Sequence, residues 1–441
     1  MNIKNTESKI FSSFDRSFSD PVFFKKPEKY KEIENLSNIE SHMINTGSNL
    51  SYCPLSFQKD SLSIILKRFN RIINFDKKNK EITVEAGMTL ADFLNFTLKQ
   101  NLWIPQLPGY PLITLAGAVA TNAHGKSCAV HGTIKNSIKN ILIFHKTNGW
   151  LNLSEEENKE VFDLTVGGLG LTGSIINITF KLSEITSKKF VTKKKYVANL
   201  TECVNTLKKQ STKNDTYIYS WNMANNFEEF GKGIIFENIP NHNQANDYLG
   251  EKIPSKNIPI WPKIKLWNKV TLKLANRIFY LINRKNKLEN FNSVIFPFYG
   301  KENYFKFFGK KGFLESQLLI HEDNCGEFLE EFKSLFKKYD PTISLISFKN
   351  MSGSQKYLRF EGNKICITID YVNNKKSLLF MSEMDKLCIK FKLLPSIIKD
   401  SRLEKNIVEN CYEEFSAFKK NLRIFDKNRF YQSEVSKKLG L

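Results

Sequence analysis

At 441 residues with 41% hydrophobic side chains, the chain exceeds one ordinary core and predicts two domains, each able to bury an interior. Seven Cys, at 53, 128, 203, 325, 366, 388 and 411, follow no CxxC or paired metal spacing, which argues against zinc and a disulfide frame and fits a reducing cytoplasm. The formal charge of +21 suggests an anionic partner, but Lys, Asn, Ile and Phe are abundant throughout, so the distribution of charge must identify that partner.

The N-terminus MNIKNTESKIFSSFDRS has no apolar signal core, and no run approaches the roughly 18 uninterrupted apolar residues of a membrane span. Residues 1–25 show no periodicity and are expected to form an arm at best. From Pro27, EKYKEIENLSNIE reads as a short amphipathic helix, HMIN as a strand and TGSNLSY as a loop. A strand feeding Gly47, Ser48, Asn49 and Ser51 yields backbone N–H groups and short hydroxyls that can cradle a pyrophosphate. Next come strand, turn (Asp76 to Asn79), strand (Glu81 to Ala86) and a helix capped by Thr89 that stops at Asn101.

Residues 108–126, PGYPLITLAGAVATNAHGK, organise the rest. Ala116, Gly117, Ala118, Ala120 and Ala123 leave the backbone open to close approach, while Thr121, Asn122, His124 and Lys126 gather polar atoms at one end. That suits a large flat ligand with a reactive rim. A strand from Ile141 to His145, a turn at Thr147-Asn148-Gly149 and a helix over SEEENKEVFDLTV, acidic in its first turns, follow. Gly168, Gly170 and Gly173 satisfy GxGxxG, yet a helix precedes them, a β-branched strand SIINITFKL follows, and Glu184 is too close for a ribose acid, so no Rossmann unit is expected.

Near residue 186 a second unit opens with a strand, a helix and the aromatic strand DTYIYSWNM. From Lys252 to Lys287 there are ten Lys or Arg and no acid, interleaved with Trp261 and Trp267. Within it Leu266, Val270, Leu274, Ile278 and Leu281 form one helical face, with Lys265, Lys269, Lys273 and Arg277 alongside. Three readings stay open: a membrane-surface helix drawn to anionic lipid, a helix packed on the protein core, and a nucleic-acid contact without any recognised module around it.

Taken together, the TGSNLSY loop, the strand-helix-PG order, HGK with Gly132 and Asn136 behind it, and GGLGLTG resemble the FAD-dependent oxidases of the vanillyl-alcohol-oxidase superfamily. The branch most resembled oxidises the 2-hydroxyl of a polyprenyl-phosphate-linked ribose, the first half of epimerisation to arabinose. Phe313-Leu314-x-x-Gln317, Phe348-Lys349, Ile365-Cys366 and Lys399-Asp400-Ser401-Arg402 match that branch along nearly the whole chain, while Ser396 departs from a Tyr near its flavin.

The resemblance implies an α+β fold. A two-lobed, PCMH-type FAD-binding domain would begin at 1–186, an antiparallel-sheet substrate domain would occupy 187–393 with a basic membrane-facing insert at about 252–290, and 394–441 would complete the active site. FAD would contact Gly47, Ser48, Asn49, Ser51, Tyr52, Pro108, Gly109, Thr114, Gly117, Ala118, Thr121, Asn122, His124, Gly125, Gly168, Gly173 and Ile175. Leu50 stands where covalently flavinylated relatives have His, which implies non-covalent FAD. Substrate would meet Tyr52, Lys126, Gln317, Lys349, Cys366 and Lys399, with Cys366 either a pocket-wall thiol or a buried small residue.

Lys399 and His124 are the catalytic candidates, and the sequence does not decide which takes the proton. Implied partners are a lipid-linked sugar phosphate, a separate short-chain reductase for the second half-reaction and the anionic inner face of a membrane, with neither nucleic acid nor metal. Two alternatives remain: a soluble aldonolactone or alditol oxidase of the same superfamily, and a basic, non-catalytic membrane- or nucleic-acid-binding protein.

Overall fold

The computed structural model describes residues 6–210, 216–242, 253 and 264–441. Trp261, Lys252, Lys256 and Lys263 of the basic stretch lie outside the described residues. Strands β1 (Ser8–Ser12) and β2 (Ser19–Lys25) form an antiparallel pair, and β2 continues in parallel to β4 (Leu62–Ile65), which lies parallel to β3 (Met43–Thr46). The expectation of a mere arm is thereby corrected for residues 6–25, while residues 1–5 lie outside the described residues. Phe11, Val22 and Phe24 are buried with Phe57, too few inward positions for a visible alternation. Helix α1 (Tyr30–Glu34) is short, as its sequence suggests.

A second, antiparallel sheet joins β5 (Ile72–Asp76), β6 (Glu81–Glu85), β8 (Ile138–His145), β9 (Gly149–Leu153) and β10 (Ser174–Lys181) in the order β5-β6-β10-β8-β9. Helix α2 (Leu90–Thr97) starts where Thr89 Oγ1 accepts from the Asp92 N–H at 3.2 Å, a cap worth about 1 kcal/mol. Beyond α2, Asn101 turns left-handed at φ 59°, and β7 (Leu102–Trp103) pairs with β11 (Ser183–Glu184). Helices α3 (Leu115–Ala120) and α4 (Cys128–His131) flank His124. Helix α5 (Lys159–Thr165) begins later than expected: Asn158 is left-handed at φ 50°, and Ser154 turns the preceding acidic residues into a loop by accepting from the Glu156 and Glu157 N–H groups. Since α5 precedes the glycines and β10 follows them, the refusal of a Rossmann reading stands.

The largest sheet has eight strands: β12 (Lys189–Val197), β13 (Tyr217–Asn222), β14 (Gly233–Pro240), β15 (Lys287–Asn290), β16 (Phe313–Ile320), β17 (Ile343–Met351), β18 (Lys364–Val372) and β19 (Leu394–Pro395), ordered β15-β12-β14-β13-β17-β18-β16-β19. Side chains alternate across its two faces. Ile346, Phe348, Ile367 and Ile369 pack in one core with α6 (Leu200–Gln210), α10 (Cys325–Tyr339) and α11 (Lys375–Lys390). Phe328, Phe332 and Phe336 form the i, i+4, i+8 stripe of α10 in that core; burial of each is worth roughly 1.5–3 kcal/mol. The residues between them on the strands face a cleft, where α7 (Lys269–Ile282), α8 (Phe291–Ile295) and α9 (Asn303–Lys306) lie.

The chain end, with α12 (Lys405–Cys411), α13 (Phe415–Phe425) and α14 (Glu434–Leu439), returns to the first sheet: the Met43 N–H donates to Phe430 O at 2.7 Å and Tyr431 is buried beside Met43. Among the described residues no helix is long and apolar enough to cross a membrane. The fold is α+β, with a preponderance of antiparallel pairing.

Candidate active site

A cavity of about 890 Å³ separates the N-terminal sheets from the eight-stranded sheet, at the upper end of the roughly 300–1,000 Å³ typical of ligand sites. One wall is the cleft face of the large sheet: Lys194, Tyr219, Phe236, Lys349, Glu315, Gln317, Thr368 and Asp370 alternate out of successive strands. The opposite wall comes from the segments that the small residues single out. Gly47, Ser48, Asn49, Ser51, Tyr52, Pro108, Gly109, Thr114, Gly117, Thr121, His124, Gly125, Gly173 and Ile175 all line the cavity, as do Lys126 and Lys399. Lys399 and His124, 275 positions apart in sequence, therefore meet at one cleft.

Four expected contacts lie elsewhere. Ala118 is fully buried in the core under α3, and a Cβ on Gly168 would lie 1.7 Å from Leu164 O, so both serve packing. Asn122, left-handed at φ 46°, turns its amide away to donate to Glu361 Oε2 at 3.0 Å, a carboxylate that also accepts from Thr133 at 2.9 Å. Cys366 shares the cleft-side parity of Thr368 but is sealed beneath it; burial pushes its thiol up to about 12, which leaves it a small hydrophobe. Thr368 takes the place at the wall, accepting from Gln317 Nε2 at 2.9 Å.

The loop 46–52 is held from both sides. A Cβ on Gly47 would stand 2.2 Å from Thr114 Oγ1, so only glycine permits the approach of this loop to the start of α3. The arm adds Phe14 N–H and Asp15 N–H donating to Ser51 O and Tyr52 O, and Phe14 stacks on Tyr52 at 5.1 Å. Ser48 Oγ is buried at the cavity wall with no hydrogen-bond partner among the described residues, an atom that a ligand group would satisfy. Leu50 lines the same wall and offers no atom for a flavin linkage.

Around His124 the charges are all positive. Lys349 Nζ lies 2.8 Å from His124 Nδ1 and donates to Gly125 O at 2.9 Å. Burial, then the Lys349 and Lys399 charges, hold the imidazole well below its ordinary value, so it is neutral, and with an ammonium donating to Nδ1 the hydrogen resides on Nε2. Lys126 Nζ sits 4.0 Å over the Tyr219 ring, and burial followed by the Lys349 and Lys301 charges lowers it well below the usual lysine range. Lys399 Nζ lies 3.6 Å over the Tyr52 ring and 3.2 Å from Glu315 Oε1. Glu315, Asp370, Thr368, Tyr304 and Tyr219 carry no motif; the available signal was a polar residue at cleft parity inside an otherwise apolar strand, as in FLESQLLI and ICITIDY.

A glycine-backed loop with an unpaired buried hydroxyl, a small-residue floor and a cationic rim define a dinucleotide-type flavin site, and the family described as FAD binding domain matches residues 32–154. The chain carries a PCMH-type FAD-binding domain and is an FAD-dependent oxidoreductase acting on CH–OH groups. It is 24% identical over 420 residues, 90% of its own length and 89% of the relative's, to decaprenylphosphoryl-β-D-ribose oxidase of Mycolicibacterium smegmatis. A putative D-arabinono-1,4-lactone oxidase of Neurospora crassa is 27% identical over 36% of this chain and 29% of its own, and mouse L-gulonolactone oxidase is 27% identical over 28% of each.

Proposed function

We propose that the protein oxidises the 2-hydroxyl of a polyprenyl-phosphate-linked pentose to a ketone, as the first half of an epimerisation that a separate short-chain reductase completes. The observation that carries this reading is coverage: the resemblance to a lipid-linked ribose oxidase runs over 90% of the chain, whereas the lactone oxidases named above match 36% of it or less. The reading assigns residues 1–186 and 394–441 to the FAD side and 187–393 to the substrate side.

Bound FAD supplies a two-electron acceptor for the carbinol hydrogen. It would rest on Gly47, Ser48, Ser51, Gly117, Thr121, Gly173 and Ile175, held without a covalent bond because Leu50 is inert. Gln317, Thr368 and Lys399 would bind the sugar hydroxyls, with neutral His124 presenting Nε2–H to an oxygen. Lys126, half-buried with no carboxylate partner among the described residues, would take a phosphate oxygen.

The lid supports a lipid substrate. On α7, Leu272, Asn276 and Phe279 face the cavity, while Val270, Leu274, Ile278 and Leu281 are exposed by 77%, 61%, 50% and 50%. Among the described residues nothing covers this outward apolar face, which suits it to rest on the surface of an anionic membrane.

The test is anaerobic mixing of the purified yellow protein with farnesyl-phosphoryl-ribose and, separately, with L-gulono-1,4-lactone. Bleaching near 450 nm by the lipid-linked sugar alone is expected; bleaching by the lactone alone would overturn the substrate assignment. Lys399→Ala should keep its flavin and lose at least about 100-fold in bleaching rate.

A further inference from the structure

Two carboxyl groups that no motif announces face each other in the cleft. Glu315 on β16 and Asp370 on β18 are direct partners in the antiparallel register, and opposed Cβ atoms in such a ladder lie about 4.5–5.5 Å apart. Their exposures are 4% and 2%, yet both belong to the cavity wall. Two buried carboxylates at that separation do not both ionise without a large cost.

Their neighbours are unequal. Lys399 Nζ stands 3.2 Å from Glu315 Oε1, and that oxygen accepts no aligned hydrogen bond among the described residues. Asp370 Oδ2 accepts from the Tyr304 hydroxyl at 2.8 Å, a phenol that also bonds the Ser344 hydroxyl at 2.7 Å, and Oδ1 has no hydrogen bond among the described residues. The Tyr52 hydroxyl, from the FAD loop, faces Glu315 as well. Among the described residues, Lys399, Tyr52, Tyr304 and the thiols of Cys53 and Cys366, both raised in part by the Glu315 charge, are titratable groups that face the pair. Burial, and then the Glu315 charge, push the Asp370 carboxyl well above the carboxylate range. Glu315 has the Lys399 cation beside it and Asp370 the Tyr304 phenol, so the charge that the pair retains is favoured on Glu315.

Neither sequence-derived candidate suits proton acceptance. Nδ1 of His124 is occupied by Lys349, and protonating it would set two cations 2.8 Å apart. Lys399 Nζ is engaged by Glu315 Oε1 at 3.2 Å and by the Tyr52 ring face.

We infer that Glu315 takes the hydroxyl proton when the substrate is oxidised, and that Asp370, directly opposite on the adjoining strand, positions that carboxylate. The inference rests on the oxidase reading above. The carbinol O–H and C–H bonds break and the C=O bond forms; the C–H hydrogen leaves with its electron pair to the flavin, which is the oxidant, and the O–H proton goes to Glu315. Once protonated, Glu315 no longer neutralises Lys399, whose ammonium is left to balance the charge that has left the substrate.

Two measurements decide it. The first needs neither substrate nor turnover: infrared difference spectra of the protein at pH 8, where Asp400, pushed up to about 6, is ionised. Wild type should show a protonated-carboxyl band that D370N lacks, and E315Q, having lost the neighbouring charge, should titrate that band at least about one pH unit lower. Absence of the band in wild type, or an unmoved titration in E315Q, overturns the pair.

The second is the anaerobic bleaching rate with farnesyl-phosphoryl-ribose or L-gulono-1,4-lactone, whichever reduces wild type. E315Q should lose about 10²–10⁴-fold and the acid limb of the pH profile, with E315D recovering part of the rate. A normal rate in E315Q places the acceptor elsewhere. Should neither sugar bleach wild type, the substrate reading fails and the infrared result alone decides the pair.

Discussion

Replacing Val270, Leu274 and Ile278 together by Asn removes the centre of the outward face of α7 without touching the cavity. Their exposures of 77%, 61% and 50% amount to nearly two fully exposed aliphatic side chains. At roughly 1.5–3 kcal/mol each, immersion of that surface in an acyl boundary contributes about 3–6 kcal/mol, or about 10²–10⁴ in partitioning. The charge contribution is smaller than the sequence suggests, since Lys269 pairs with Asp340 and Arg277 with Glu229. Flotation with phosphatidylglycerol vesicles should show at least about 100-fold weaker binding by the triple variant, with wild-type binding only partly weakened by salt. Because these side chains make few internal contacts, the melting temperature should stay within about 2 °C. Equal flotation of variant and wild type would refute the membrane role, and a drop of many degrees would show that the face packs on protein after all.

Two further outcomes follow from the cleft. Lys349→Met removes the charge nearest His124, so the imidazole should titrate at higher pH than in wild type, still below an ordinary histidine because burial is the first cause of its depression; NMR of histidine-labelled protein reads the shift. The sign for stability is fixed by the same cause: a histidine depressed in the folded state costs stability as pH falls below about 6.5, where the unfolded chain gains the proton, so the variant should lose less on mild acidification than wild type does. Gly47→Ala puts a methyl group within 2.2 Å of Thr114 Oγ1, so the loop must move; the variant should purify with less than half the wild-type flavin content, measured at 450 nm, and full occupancy would show the close approach to be dispensable.

Local chemistry made much of the site legible. Small residues from Ala116 to Ala123 and the glycines at 47 and 173 mark close backbone approach whatever the surrounding fold, and they do line the cavity or its support. Thr89 and Asn101 bound their helix by capping and left-handed geometry, both local. What depends on register was invisible. Glu315 and Asp370 are 55 positions apart, and only the β16–β18 pairing places one opposite the other. Cys366 and Thr368 share parity, so parity alone could not tell which reaches the wall. Asn122 looks like a ligand contact by its neighbours, yet its left-handed backbone turns the amide to Glu361, a partner 239 positions away. The N-terminal strands escaped notice because β2 carries Pro21 and only two inward apolar residues.

The distribution of lysines along the cleft bears on the choice between a neutral and an anionic substrate. Lys399 has Glu315 beside it, so its charge is balanced in the free protein. Lys126 has no such partner: its polar contacts among the described residues are a carbonyl at 3.4 Å on Val294 and the face of Tyr219, and Lys349 and Lys301 both repel it. Burial and those two charges lower its basicity, and an arriving anion offsets both, so phosphate binding gains more there than at a solvated lysine. A lactone carries no such charge and would leave Lys126 as it is. Lys126 and the inner side of α7 line one cavity, and the outer surface of α7 is apolar, so the phosphate and the hydrocarbon tail of the proposed lipid-linked sugar would each meet a matching surface.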